Sequence, residues 1–141
     1  MSDIRLERTL YGSRELVLDA WRSRERLTEW FGPDLGTSIY VEDLDFTSGG
    51  RWRVTVGSET VGGTFIEMDP PDRFAFTWQW EHEPETAPST VVVMLTERSD
   101  TTTELLVQHS DLDGSDRAGR AERDWTAMLD RLDQLVREHS G

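Results

Sequence analysis

The chain has 141 residues, a hydrophobic fraction of 35%, no cysteine, and a formal charge of −13 from 28 acidic and 15 basic residues. That size suits a single domain, 1–141, with one core, and the lack of cysteine excludes disulfides, thiolate nucleophiles and sulfur-held metals. A negative field repels phosphate backbones and anionic headgroups, so nucleic acid is not an expected partner; with no run of ~20 apolar residues and no export signal in MSDIRLERTL, membrane insertion is not expected and a cytoplasmic location is.

Ile4 to Tyr11 alternates as a strand does. Ser13 stands where it can cap a helix over Arg14 to Trp21, and Ser23 a second over Arg24 to Phe31, which Gly32-Pro33 ends. From Ser38 to His109 the period falls to two. Breaks at Ser48-Gly49-Gly50, Gly57-Ser58, Pro70-Pro71-Asp72 and Ser99-Asp100 help divide it into six strands. The pattern predicts them at Ser38 to Phe46, Arg51 to Val56, Val61 to Met68, Arg73 to Trp80, Thr90 to Glu97 and Thr102 to His109. Connections this short favour an antiparallel meander, because parallel neighbours need crossovers of a dozen or more residues. Within Val61 to Met68, Phe65 and Ile66 compete for the inner face, and the charge of Glu67 favours Ile66. Gly62-Gly63 reads as a bulge or bend and Gly49-Gly50 as a tight turn, not as phosphate cradles. Finally, Gly119 to Glu138 places Ala121, Trp125, Met128, Leu129, Leu132, Leu135 and Val136 on one helical stripe. At 1.5 Å per residue that helix is about 30 Å long, enough to cross a curved sheet.

Phe74, Phe76, Trp78 and Trp80 fall on one face of the fifth strand. Each such ring buries roughly 150–250 Å², so the four need cover from water, and the stripe of the last helix is the natural one. Trp52, Phe76, Trp78, Trp80, His109, Trp125 and Met128 are the residues expected to line any ligand cavity beneath that helix. Periodicity alone leaves open whether these rings line a void or fill a solid core.

The order strand, two short helices, six strands, long helix is that of the helix-grip fold, an α+β arrangement with a curved antiparallel sheet of about seven strands wrapped around a C-terminal helix. The chain resembles the domain family named after the activator of the heat-shock protein ninety ATPase, in the START-like (SRPBCC) superfamily. Carrying the resemblance are Val17-Leu18-Asp19-Ala20-Trp21, Leu27-Thr28-Glu29-Trp30-Phe31-Gly32-Pro33, Phe46-Thr47-Ser48-Gly49-Gly50-Arg51-Trp52, the stretch from Gly63 to Phe74, and Thr77-Trp78, within about Ile4 to Leu135. The resemblance implies an internal hydrophobic cavity. It does not fix a chemistry, because relatives include carriers, receptors and polyketide cyclases.

Catalytic signals are sparse. All basic residues are arginine, which removes lysine Schiff-base chemistry. His82 among Glu81, Glu83 and Glu85 reads as a solvated acidic loop and not as a metal site, and His139 lies in a fraying tail. His109 has two readings, a general base or ligand contact, and a core histidine satisfied by its neighbours. Asp111-Leu112-Asp113-Gly114 reads as a turn. The expected function is noncatalytic binding of a small apolar or aromatic molecule, without cofactor or metal. Two alternatives stand beside it: a cyclase-like or hydrolase-like enzyme in which His109 moves protons, and a co-chaperone-like interaction module, a homodimer or partner binder, docking through an exposed Trp30-Phe31 surface.

Overall fold

The computed structural model describes residues 2–32, 37–112 and 114–140; Pro33 of the expected helix stop and Asp113 of the expected turn lie outside them. The elements are β1 (Ser2–Leu10), α1 (Arg14–Arg22), α2 (Arg24–Trp30), β2 (Ile39–Leu44), β3 (Arg51–Val56), β4 (Glu59–Asp69), β5 (Arg73–Trp80), β6 (Ser89–Ser99), β7 (Thr102–Leu112) and α3 (Ser115–Ser140). Their order and type follow the sequence pattern. The seven strands form one curved antiparallel sheet in the order β1-β7-β6-β5-β4-β3-β2. Strands β2 to β7 make the meander, and α1 and α2 carry the chain from one edge of the sheet to the other.

The starts of α1 and α2 are set by serines. The Ser13 hydroxyl accepts from the Leu16 N–H at 3.1 Å. Ser23 acts twice: its N–H donates to the Asp19 carbonyl at 3.1 Å, closing α1, and its hydroxyl accepts from the Arg26 N–H at 3.3 Å, opening α2. Each N-cap is worth about 1 kcal/mol. α1 buries Val17, Leu18, Ala20 and Trp21, and α2 buries Leu27 and Trp30. α3 begins four residues before the expected Gly119, so Arg117 as well as Arg120 is helical. Its stripe of Trp125, Met128, Leu129, Leu132, Leu135 and Val136 is buried as expected.

Three expectations are corrected by the packing. Phe65 and not Ile66 faces the core: Phe65 is 4% exposed and Ile66 45%. Pairing between β4 and β5 runs Gly62 to Gln79 and Phe65 to Phe76, then shifts to Glu67 opposite Ala75 and Met68 opposite Phe74. Ile66 is the extra residue of that bulge. The shift lets Phe65 and the half-buried Met68 both join the core, which strict alternation forbids. The irregularity therefore lies beyond Gly62-Gly63, which pair regularly with β3. Their small size serves close approach: a Cβ on Gly63 would stand 2.1 Å from the Thr77 carbonyl oxygen.

The third correction concerns Trp30-Phe31, whose exposure the interaction-module alternative required. Trp30 is 0% and Phe31 6% exposed. The Trp30 indole N–H donates to the Ala20 carbonyl at 2.9 Å, and its ring lies 4.6 Å from that of Trp21. The helical stripe of α2 points these rings inward, where a hydrogen-bonded indole is stable.

Candidate functional site

The inner face of β5 carries Phe74, Phe76 and Trp78, all buried, and the half-buried Trp80 at the strand end. Cover for these rings comes from three helices, not from α3 alone as the sequence pattern suggested. Trp21 of α1 packs 5.2 Å from Phe74 and 6.2 Å from Phe76, and stacks at 6.0 Å on Trp125 of α3. Phe31, closing α2, lies 6.1 Å from Trp52 and 5.8 Å from Trp78. Trp52 is itself 5.4 Å from both Phe76 and Trp78, and its N–H donates to the Thr77 carbonyl at 3.0 Å. Rings at these spacings are in mutual contact. The Trp21 N–H finds no acceptor, a cost of roughly 1–3 kcal/mol that ring packing must offset.

Open space survives where β5 ends. Trp78, Trp80 and Trp125 border a cleft of about 50 Å³, floored by Ser89 and His109. At about 10–15 Å³ per water it has room for roughly three to five, against roughly 300 Å³ or more for a pocket that holds a drug-sized guest. Of the seven residues expected around a cavity, Trp78, Trp80, His109 and Trp125 line this cleft, whereas Trp52, Phe76 and Met128 sit in packed core. Beneath α3, where the resemblance implied a cavity, Trp21 and Phe31 pack among the rings of the sheet. Ser89, Glu83, Arg117 and Arg120 also line the cleft, and periodicity did not point to them. Glu83 belongs to the β5–β6 connection, and the arginines lie on the polar flank of α3.

A directed chain of hydrogen bonds forms the floor. The Trp125 indole, which can only donate, gives its N–H to His109 Nδ1 at 3.1 Å. That leaves the His109 proton on Nε2, which donates to Ser89 Oγ at 2.7 Å, and Ser89 in turn donates to the Trp78 carbonyl at 3.2 Å. His109 is 1% exposed. Burial pushes its pKa down to about 4, with the Asp3 carboxylate opposing weakly. The Ser89–His109 pair has the spacing of a nucleophile and its base but the opposite proton placement. A base must offer Nε2 as an acceptor, and here Trp125 holds the ring in the other tautomer. His109 is therefore arranged to hold Trp125, and through it α3, against the sheet.

No cluster of His, Asp and Glu with metal-site geometry occurs among the described residues, and no helix there is long and apolar enough to cross a membrane. On the opposite edge of the cleft, Glu83 reaches α3: its Oε1 lies 3.0 Å from Arg117 Nη1 and 3.7 Å from Arg120 Nη2. The Arg120 guanidinium sits 5.7 Å from the centre of the Trp80 ring.

Solved structures share this architecture. A protein from Chromobacterium violaceum superposes with a TM-score of 0.84 at 22% identity, over 96% of this chain and 98% of that one. An AHSA1 protein from Silicibacter pomeroyi does so with 0.78 at 26% identity, over 98% and 99%. DynU16, a protein of the dynemicin biosynthetic locus, gives 0.79 at 19% identity over 99% of this chain, which spans 49% of DynU16. No curated protein matches the chain significantly. The model of one family, Activator of Hsp90 ATPase homolog 1-like protein, matches residues 12–137, and with most of its length so covered the chain belongs to that family.

Proposed function

We propose that the chain binds a small aromatic or apolar molecule at the cleft between Trp80, the β5–β6 connection and the first turns of α3. The observation that carries this reading is the juxtaposition of three tryptophans, Trp78, Trp80 and Trp125, around space that opens to solvent, in a fold whose inner face is elsewhere filled by its own rings. A guest ring displaces the few waters the cleft accommodates and parts the connection from α3, whose contact there is made by surface ion pairs worth little. Aromatic walls supply stacking and apolar area; the floor, with its polar groups already satisfied by one another, favours a guest whose inner end needs no hydrogen bond. Burying each methylene-sized group of a guest is worth about 0.8 kcal/mol, and the cost of association offsets much of that, so a two-ring molecule is expected to bind in the micromolar to millimolar range. The place of DynU16 in a biosynthetic locus accords with a small-molecule guest.

The test is a titration with 2-naphthylmethanol, followed by tryptophan fluorescence and by thermal unfolding. Saturable quenching with a rise in Tm, both lost in Trp80→Ala, is the expected result. Absence of quenching and of any Tm shift up to the probe's solubility would overturn the reading.

A further inference from the structure

We infer that the guest carries a carboxylate, which Arg117 and Arg120 receive in place of Glu83; this rests on the cleft being the binding site. Arg117 and Arg120 stand three apart on α3, so both guanidiniums reach the same side of the helix at the cleft's edge. The group they hold is already a carboxylate. Both reach one oxygen of Glu83, Oε1, with Arg117 at 3.0 Å and Arg120 at 3.7 Å. Two guanidiniums offer far more donors than one carboxylate oxygen uses, so the pair has unspent capacity that a bidentate ligand fills. Glu83 acts as a stand-in drawn from the chain itself.

Position argues the same way. Arg117 and Arg120 fall in the first two turns of α3, where the helix dipole opposes cations, so helix stability does not account for them. Arg120 also lies against Trp80, which joins the cationic edge to the aromatic wall and matches a molecule with a planar ring a few bonds from an acidic group. Two other carboxylates border the cleft, Asp111 and Asp124. Asp111 is exposed at the end of β7, its N–H donating to Asp3 at 3.3 Å, and Asp124 lies one turn beyond Arg120. Their repulsion limits the preference for an acid over its neutral analogue to the order of tenfold.

The experiment compares 2-naphthoate with 2-naphthylmethanol at neutral pH and low salt, reading dissociation constants from tryptophan quenching. In the unaltered protein naphthoate binds about tenfold more tightly than the alcohol. In the Arg117→Gln, Arg120→Gln double variant that preference disappears, while the alcohol still binds saturably. In Glu83→Gln, which removes the stand-in, naphthoate gains several-fold more than the alcohol does. Saturation by the alcohol without tighter naphthoate binding, or a naphthoate preference that survives the double variant, overturns the acid assignment and leaves the cleft reading intact. Failure of both probes overturns the cleft reading and this one with it.

Discussion

Replacing His109 with glutamine tests the proton arrangement at the floor of the cleft. Folded His109 titrates at about 4 against an ordinary 6.5. Well above pH 6.5 neither the folded nor the unfolded chain protonates this ring, so it adds no pH dependence there. Below 6.5 the unfolded chain takes up a proton that the folded chain refuses. Stability therefore falls with acidification at about 1.4 kcal/mol per pH unit until the folded value is reached. Between pH 6.5 and 5 the loss is about 2 kcal/mol, and by pH 4 roughly 3. Urea unfolding of the unaltered protein and of His109→Gln at pH 7 and pH 5 measures this. Subtraction removes the other groups, including the exposed His82 and His139. At pH 7 the variant is less stable by about 1–3 kcal/mol, because Trp125 and Ser89 lose a shaped partner. At pH 5 the difference shrinks by about 2 kcal/mol. A difference that stays constant across this range would refute both the neutral state and the burial argument behind it.

The β4 bulge is checked by a pair of substitutions followed by chemical denaturation: Phe65→Ala costs about 3–5 kcal/mol, whereas Ile66→Thr stays within about 0.5 kcal/mol, and the reverse ranking would restore strict alternation. Gly63→Ala drives a Cβ into the Thr77 carbonyl oxygen and lowers stability by at least about 2 kcal/mol; an unchanged Tm would contradict the β4–β5 spacing. Trp30→Ala loses a buried ring and the bond to Ala20, about 3–5 kcal/mol, with no change in sedimentation beyond unfolding. A stable variant with altered self-association would put Trp30 back on the surface.

The element order was legible because it rests on local signals. Alternation marked all seven strands to within a few residues, and Ser13 and Ser23 announced both short helices through their capping hydroxyls. Inner-face assignment also succeeded wherever one register satisfied every residue, as for Phe74, Phe76, Trp78 and His109. It failed at Ile66, because a bulge gains burial for two residues at once and no single-phase reading can express that. It also failed for the interior volume. Nothing local to Val17–Trp21 or Leu27–Phe31 tells how these helices dock on the sheet, and that docking brings Trp21 and Phe31 into the space a cavity would need. Half of the cleft escaped for a similar reason. Glu83, Arg117 and Arg120 look like ordinary solvated charges until the fold brings residues more than thirty positions apart to one edge.

The strand order leaves β1 and β2 with one unpaired side each, and such rims are templates on which a second chain can add a strand and begin an aggregate. Both rims are blunted. β2 is only six residues long, shifts register between Val41 and Asp43, and carries Glu42 and Asp43 at that break. β1 is irregular near Ser2 and sets Arg5, Glu7 and Arg8 along its length. An incoming strand therefore meets charge and an irregular border at both rims, which disfavours strand addition there.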